Sequence, residues 1–423
     1  MTTLSAAPPV RSTWLHRLAM LLWAVGLVSS AFRIQSALRR QILAGVPWKT
    51  AKGDLIDFRD VVLVPGSYLM HGGNPYDPIP YLTQHPWAQE FDPYAPSWFL
   101  LAGPLSLLRP WLAALIFLVG LVAVGIAFSR MLATWAVPTH ALIVAPALFA
   151  WLNLWYPGQS ALTSGSSFIV VTGVLIALRS LDRGHWDHPW LGAVGVALAM
   201  TKPQFGVPLV ILLAAARAGL LAARGLALCA LASLPATVAA MIAAGGPVGL
   251  AASFWRDAQQ ASSPDSPTGL ASPLQTRSDL VGLAVRNGLA PPPTLIQISV
   301  DVLVLGVAAW ALRRRLDPRL SALVIVPAIT LVPVHLMYDL VATTIPTLVA
   351  LGWWLTDRSR KDILLVGALA GFTLFHVHGV LLRLTPATRA LLEGVDALTM
   401  LASLLAAVAI VVTNRRREEP RAL

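Results

Sequence analysis

Long apolar runs recur along nearly the whole chain, separated by short polar segments. Many of these runs approach the ~20 residues that an α-helix needs to cross a bilayer. A membrane β-barrel would instead show alternating segments of ~10 residues. The pattern therefore predicts an all-α polytopic integral membrane protein with about twelve transmembrane helices. The predicted spans lie near 15–32, 110–129, 138–156, 160–178, 190–201, 203–216, 222–244, 294–312, 319–334, 337–355, 362–380 and 396–413.

Three of the apolar runs are short. At ~1.5 Å per residue, the runs 190–201 and 203–216 are too short for two perpendicular spans. We interpret them as two broken helices that enter from the cytoplasm and meet around Thr201-Lys202-Pro203. The run 97–108 is also short and contains Pro104, which favours a re-entrant or interfacial helix; a true span is the alternative.

Composition excludes a soluble protein, because 56% of the 423 residues are hydrophobic and only 12% are charged. Soluble domains have about 25% charged residues.

The net charge of +11 does not indicate a nucleic-acid partner, since Lys and Arg cluster between the apolar runs. Such clusters are typical of cytoplasmic loops. Twelve spans then place both termini in the cytoplasm. The basic groups are Arg313-Arg314-Arg315 with Arg319, Arg358 with Arg360-Lys361, and Arg415-Arg416-Arg417.

The first apolar run lacks a small-residue cleavage site, and we interpret it as a signal anchor of a multi-pass plasma-membrane protein. The chain has one cysteine, Cys229, which excludes an intrachain disulfide and a multi-cysteine metal site. No repeat is strong enough to indicate the inverted symmetry of secondary transporters. We expect residues 1–423 to form one membrane-embedded domain.

Two long polar segments, 33–96 and 245–293, are predicted to be extracytoplasmic. Loops longer than ~15 residues are usually functional or disordered. The second segment is rich in Ser, Pro and Gly, which is typical of a mobile loop. The first contains the carboxylates of Asp54, Asp57 and Asp60 directly after a predicted span. We therefore predict an active site that faces the far side of the membrane.

Charges at membrane depth are costly and indicate function by default. Lys202 lies at the junction of the broken helices, where it could bind a phosphate or form a structural ion pair with an outer carboxylate. His335 lies between two predicted spans on the same outer side, which favours a role in the site. We expect Asp301 to be structural. Trp87 and Trp98 flank the outer loop and could stack on a sugar.

Several short motifs follow one another along most of the chain. They are Asp57-Phe58-Arg59, the turn Gly72-Gly73-Asn74-Pro75-Tyr76-Asp77, Tyr94-Ala95-Pro96 with Pro104-Leu105, Gly158-Gln159, Ala199-Met200-Thr201-Lys202-Pro203, and His335 with Tyr338-Asp339. This order resembles glycosyltransferase family 87, membrane enzymes of the GT-C class that include polyprenol-phosphate-mannose-dependent α-mannosyltransferases. The chain departs from the family's Tyr-Pro-Pro pattern at Ala95. Spacing to the 72–76 turn favours Asp57 as the family's catalytic acid, followed by Asp60 and then Asp54.

The resemblance implies a GT-C-like bundle whose extracytoplasmic first loop carries the catalytic acid. The implied reaction is an inverting transfer of mannose from polyprenol-phosphate mannose to a glycolipid or lipid-linked glycan, with the polyprenyl tail lying in a groove between spans of the bilayer. A general base must accept the proton of the acceptor hydroxyl, and cationic groups must stabilise the departing phosphate. We expect Asp57 to be the base, with Asp60 as the alternative, and Lys202 and the catalytic His335 to stabilise the phosphate.

The same resemblance implies a set of substrate-binding residues. Besides Lys202 they are Gln159, Asn74, Tyr76, Asp77, Tyr94 and Tyr338. No nucleotide-binding fingerprint occurs in the chain, consistent with a lipid-linked donor. We expect no cofactor and no metal, although Asp54 and Asp57 could together ligate a cation.

Other functions remain open at the level of sequence. Family relatives could move arabinofuranose or another sugar from decaprenyl phosphate. A transporter or flippase of a lipid-linked saccharide would explain the spans and Lys202, but it explains poorly why acids gather in an outer loop and not at the midplane. A membrane polymerase of the O-antigen type would also place its main loops outside.

Overall fold

A computed structural model describes residues 11–39, 55, 58–89, 94–163, 167–182, 189–261, 266, 279–286, 289–313, 317–332, 335, 337–375 and 386–418. The regular elements that these residues form are helices. They are α1 (Arg11–Leu38), α2 (Val64–Met70), α3 (Pro78–Gln84), α4 (Phe99–Ser106), α5 (Pro110–Ala136), α6 (Ala141–Leu154), α7 (Tyr156–Thr163), α8 (Ser167–Arg179), α9 (Pro189–Met200), α10 (Pro203–Ala215), α11 (Gly219–Ala243), α12 (Pro247–Ala261), α13 (Leu280–Arg286), α14 (Thr294–Leu312), α15 (Pro318–Leu331), α16 (Thr344–Thr356), α17 (Lys361–Ala370) and α18 (Pro386–Glu418). A π-helical turn (Phe58–Leu63) precedes α2, and 3-10 turns occur at Pro96–Trp98, Pro138–His140, Met337–Thr343 and Gly371–Phe375.

Six helical stretches of the described chain are long and apolar enough to cross a membrane. They are Thr13–Leu38, Pro110–Ala136, Gly219–Ala243, Thr294–Leu312, Asp339–Thr356 and Val395–Thr413. Shorter apolar helices cover Pro138–Leu154, Ser167–Arg179, Trp190–Met200, Pro203–Ala215 and Pro318–Leu331. The prediction of an all-helical membrane protein is thereby confirmed, and the total of twelve spans stays a prediction.

The predicted break at Thr201-Lys202 is present. Helices α9 and α10 have 12 and 13 residues, so each is about 20 Å long or less. Pro203 is the first residue of α10. The N–H group at this position makes no hydrogen bond within a helix, so a proline there costs none. The residue before it, Lys202, is extended, with φ −118° and ψ 96°, as expected before proline.

Other helix limits differ from the expectation. The predicted span 160–178 is divided between α7 and α8, and α7 begins only two residues after α6 ends. Trp155 is extended between α6 and α7, and Pro157 follows it in the first turn of α7. Helix α4 has eight residues, a length of about 12 Å, which is too short to span a bilayer.

Both long polar segments contain helices. The π-helical turn, α2 and α3 lie within 33–96, while α12 and α13 lie within 245–293. Helix α12 occupies the part of the second segment that directly follows α11, and it packs against α11 and α3. Side chains of the second polar segment therefore contact the first polar segment.

Close packing of short helices forms the centre of the molecule. Helix α8 lies against α5, α9 and α15, and α9 also packs on α10 and α11. Gly173 of α8 and Gly195 of α9 face each other: a Cβ atom on either glycine would lie 2.6 Å from the carbonyl oxygen of the other. Small residues at such positions let membrane helices approach closely. The carboxyl end of α9, where Lys202 follows, is therefore held against the core.

Candidate active site

A buried charged cluster surrounds the carboxylate of Asp339. The Nζ atom of Lys202 donates to Oδ1 of Asp339 at 2.7 Å, and the hydroxyl of Ser167 donates to the same oxygen at 2.6 Å. His335 Nδ1 lies 3.3 Å from the other oxygen, Oδ2. All four side chains are buried. Three segments far apart in sequence thus meet at one carboxylate.

Both ring nitrogens of His335 face oxygen atoms. Its Nε2 atom lies 2.8 Å from the carbonyl oxygen of Ile329, while Nδ1 lies 3.3 Å from the Asp339 carboxylate. A ring nitrogen that carries a proton donates to such an oxygen. The His335 ring also packs edge-on against Phe205, with centroids 4.5 Å apart.

Each member of the cluster comes from an irregular point in the helical frame. Lys202 lies in the break between α9 and α10, and Ser167 is the first residue of α8. Asp339 belongs to the 3-10 turn Met337–Thr343, which packs against α7, α8 and α15. Breaks in membrane helices are tolerated where they line a protein-enclosed site. The cluster therefore lies where short helices end.

Gln159, on α7, takes part in a second polar group next to this turn. Its Nε2 donates to the carbonyl oxygen of Asn153 at 2.8 Å, and Arg33 of α1 donates to the same oxygen at 2.8 Å. Ser30 donates to the Asn153 side chain at 2.9 Å. These bonds join α1, α6 and α7. Helix α7, which carries Gln159, packs against the 3-10 turn that carries Asp339.

The glycine turn at 72–77 orders the described part of the first polar segment, residues 58–89 and 94–96, which is called the outer segment after its predicted location. Gly72 has φ +84°, a conformation that favours glycine. A Cβ on Gly73 would lie 2.5 Å from the Tyr68 ring, so only glycine allows this contact. The side-chain oxygen of Asn74 accepts from the Tyr76 N–H at 3.2 Å, and Asp77 caps α3 by accepting from Ile79 N–H at 3.4 Å.

Tyr94 links this outer segment to the charged cluster. The Tyr76 hydroxyl donates to the Tyr94 carbonyl oxygen at 2.9 Å. The next residue, Ala95, donates its N–H to the carbonyl oxygen of Thr201 at 2.9 Å, and Thr201 precedes Lys202. The Tyr94 ring also lies 5.1 Å from that of Trp98. A chain of hydrogen bonds thus runs from the glycine turn to the break between α9 and α10.

Asp60 lies in the π-helical turn and forms a buried ion pair. Arg59 donates through Nε to Oδ1 at 2.6 Å and through Nη2 to Oδ2 at 2.7 Å. The Trp98 indole donates to the Val61 carbonyl oxygen at 2.9 Å, which joins this turn to the Tyr94–Trp98 segment. Both oxygens of Asp60 are therefore engaged by the neighbouring guanidinium. Asp54 and Asp57 lie outside the described residues.

Most of the predicted site residues lie in the described part of the chain. The structure brings Lys202 and His335 together on one carboxylate, and it joins Asn74, Tyr76, Asp77 and Tyr94 in the outer segment. Gln159 bonds to Asn153 of α6, and its helix α7 packs against the turn that carries Asp339. The side chain of Tyr338 lies outside the described part, as do His376 and His378. Asp301 lies on α14.

Sequence reasoning missed two residues of the cluster. Asp339 belonged to a noted motif, and its spacing of four residues from His335 was a usable signal for a contact between them. Ser167 lies 172 residues from Asp339 in the sequence. No local sequence pattern indicates that the two residues are in contact. Among the described residues, no group of three or more His, Cys, Asp or Glu side chains is placed to hold a metal ion.

The fold and the buried cluster define a membrane-embedded helical protein with a charged site among broken helices. A model of glycosyltransferase family 87 matches residues 93–338, more than half of the 423-residue chain. The chain belongs to this family and is an enzyme that transfers a sugar. No curated protein and no solved structure matches the chain. The match includes Tyr94, Gln159, Lys202 and His335.

Proposed function

We propose that the protein transfers a mannosyl residue, with inversion, from polyprenol-phosphate mannose to a lipid-linked glycan acceptor on the extracytoplasmic face of the plasma membrane. The observation that carries this proposal is the convergence of Lys202 and His335 on the buried carboxylate of Asp339. A lysine and an imidazole held together at the ends of broken helices can stabilise an anionic group of a substrate.

The phosphate of a lipid-linked donor is an anion of the required kind. In the proposed reaction, the bond between the sugar C1 and the phosphate oxygen breaks, and its electron pair leaves with the phosphate. Lys202 and His335 stabilise the negative charge that develops on that oxygen. A lysine acts on phosphate as a point charge, and the Asp339 carboxylate holds the Lys202 and His335 side chains in place before the donor arrives.

The acceptor supplies the other half of the reaction. Its hydroxyl oxygen attacks C1 from the face opposite the phosphate, and its proton passes to a carboxylate base. We assign this base to Asp57. The engagement of both Asp60 oxygens by Arg59 supports Asp57 over Asp60. Tyr94 and Tyr76, which adjoin the Lys202 segment, are proposed to shape the passage between donor and acceptor.

Transfer of radiolabelled mannose from polyprenol-phosphate mannose in membranes tests this function. We expect wild-type membranes to incorporate label and Asp57→Asn membranes to lose at least ~100-fold in rate, since a general base contributes typically 10²–10⁴-fold. Asp362→Asn is the matched control, because this exposed carboxylate pairs with Arg360 far from Asp57 in sequence. Asp54→Asn and Asp60→Asn, tested singly, identify the base.

The outcomes separate the remaining possibilities. Activity retained in Asp57→Asn but lost in Asp60→Asn would reassign the base. Label transferred from decaprenyl-phosphate arabinofuranose and not from the mannose donor would change the sugar while keeping the mechanism. Failure with both donors would overturn the proposed donor class.

A further inference from the structure

The buried face of helix α12 contains polar side chains. Its buried positions are Leu250, Ser253 and Asp257, spaced by three and four residues, whereas Val248 and Trp255 are exposed. The inward stripe therefore carries a hydroxyl and a carboxylate, although the inward face of a surface helix is ordinarily apolar. Asp257 is fully buried. A carboxylate in that position indicates that the covered region is polar.

Three contacts hold α12 against the glycine turn. Arg256 forms a short ion pair with Asp77, and Ser253 donates to the same carboxylate at 3.4 Å. The Phe254 ring lies 4.2 Å from the Tyr76 ring. Helix α12 is thereby fastened to the segment that carries Asn74 and Tyr76.

Two buried donors in this segment lack a hydrogen-bond partner within the described part of the chain. They are the hydroxyl of Tyr81 and the side-chain Nδ2 of Asn74. Tyr81 is fully buried and Asn74 is 6% exposed. A buried polar group without a partner costs roughly 1–3 kcal/mol, and most such groups in proteins are satisfied by protein, water or a ligand.

A cluster of aromatic rings borders Tyr81. The Tyr81 ring lies 5.4 Å from Tyr68 and 5.5 Å from His85, and the His85 ring lies 5.6 Å from Trp87. Tyr68, His85 and Trp87 are only partly buried. Ligand sites in proteins commonly combine aromatic walls with a few convergent polar groups.

We propose that Tyr81 and Asp257, beneath the rings of Tyr68, His85 and Trp87, form a binding site for a sugar ring of the glycan acceptor. The site rests on the proposed function, since it presumes that the acceptor is a glycan. Sugar hydroxyls both donate and accept hydrogen bonds. They would donate to the Asp257 carboxylate and accept from the Tyr81 hydroxyl, while the apolar face of the sugar packs on the rings.

The electrostatics of Tyr81 suit this role. Burial raises the pKa of Tyr81 well above its usual value, and the nearby carboxylates of Asp60 and Asp257 raise it further, against an opposing effect of Arg59. Tyr81 therefore stays a neutral donor at physiological pH. Its interactions with both carboxylates place Tyr81 close to α12, which carries Asp257, and to the π-helical turn, which carries Asp60.

Kinetics with the membrane-embedded enzyme test the site. Tyr81→Phe removes only a hydroxyl that has no partner within the described residues, so we expect no loss of folding stability. The acceptor KM should rise roughly three- to tenfold, because a neutral hydrogen bond contributes about 0.5–1.5 kcal/mol. Asp257→Asn should raise the acceptor KM further, and the donor KM should stay unchanged in both variants. Gln259→Ala, on the exposed side of α12, is the control. An unchanged acceptor KM in Tyr81→Phe would overturn the proposal.

A binding measurement separates this site from the enzymatic function. Saturation-transfer NMR with methyl α-mannopyranoside and methyl α-arabinofuranoside reports contact with the purified protein and needs no turnover. We expect signal with wild type and Gln259→Ala, and a reduced signal with Tyr81→Phe and Asp257→Asn. Equal signals in all four proteins, or none in the wild type, would contradict the sugar site. Sugar binding without transfer from any donor would instead overturn the proposed function alone.

Discussion

The Asp339 carboxylate accepts hydrogen bonds from a lysine, a histidine and a serine at once. Burying an ion pair gains little net free energy, but removing one partner leaves a charge without compensation. Asp339 is therefore a positioning residue: it holds Lys202 and His335 at the depth where the donor phosphate is proposed to bind.

A double-mutant cycle measures this dependence. Asp339→Asn should lower the free energy of unfolding by about 3–5 kcal/mol, since Lys202 is then buried without its carboxylate. Lys202→Met combined with Asp339→Asn should cost less than the sum of the single variants. Unfolding is followed in detergent micelles with increasing SDS. Asp362→Asn, which breaks the exposed pair with Arg360, should change stability by less than ~1 kcal/mol.

Additive effects of the two buried substitutions would contradict a direct pairing between Lys202 and Asp339 in the folded protein. A loss for Asp339→Asn no larger than that of the exposed control would show that the carboxylate compensates no buried charge.

Lys202 and His335 were predictable because an ionisable residue among apolar runs is costly and therefore conspicuous. Tyr81 was not predictable in this way. A tyrosine in a polar segment is ordinary, and its importance depends on α12 arriving from a part of the chain more than 160 residues away. Asp257 was hidden for the same reason, since its segment has the composition of a mobile loop. A local sequence pattern identifies an ionisable residue in an apolar run. It does not identify which distant helix will pack over a given side chain.

At the scale of elements, breaks in the helices matter as much as the helices. The break before α10 followed from Thr201-Lys202-Pro203, since a proline ends the preceding helix. The division between α7 and α8 was not predicted, because an uninterrupted apolar run has the same pattern whether it forms one helix or two. Short helices place Ser167 and Lys202 at their ends, which is how both reach Asp339.

Packing of α8 on α9 offers a prediction about the glycines at their contact. In Gly173→Ala or Gly195→Ala, the new Cβ would lie 2.6 Å from the opposing carbonyl oxygen, so the helices must separate. We expect a loss of roughly 1–3 kcal/mol, measured as a lower midpoint of thermal unfolding in detergent, and a fall in transfer activity because α9 leads to Lys202.

Gly306→Ala in α14 is the matched control. A Cβ at this position meets no atom within 4 Å, and alanine is favoured over glycine in a helix by about 0.5–1 kcal/mol. The control should be neutral or slightly stabilising. If Gly173→Ala behaved like Gly306→Ala, the close approach of α8 and α9 would be refuted.

At the scale of the whole molecule, the basic clusters predict the orientation of the chain in the membrane. Lys and Arg concentrate in loops and near the last residues of the chain, and cytoplasmic segments carry this excess. We predict that green fluorescent protein fused after Leu423 is fluorescent, since it folds in the cytoplasm. Alkaline phosphatase fused after Gly245, between α11 and α12, should be active outside. The reverse pair of results would invert the proposed orientation and place the charged site on the cytoplasmic side.

The hydrogen bond between Ala95 and Thr201 limits what position 95 can tolerate. Ala95 donates its backbone N–H to the Thr201 carbonyl oxygen, and a proline has no N–H to donate. A proline at this position would therefore fix the local backbone angle but give up a direct attachment between the outer segment and the lysine junction. The Tyr94-Ala95-Pro96 segment thus keeps one proline for rigidity and one amide for anchoring.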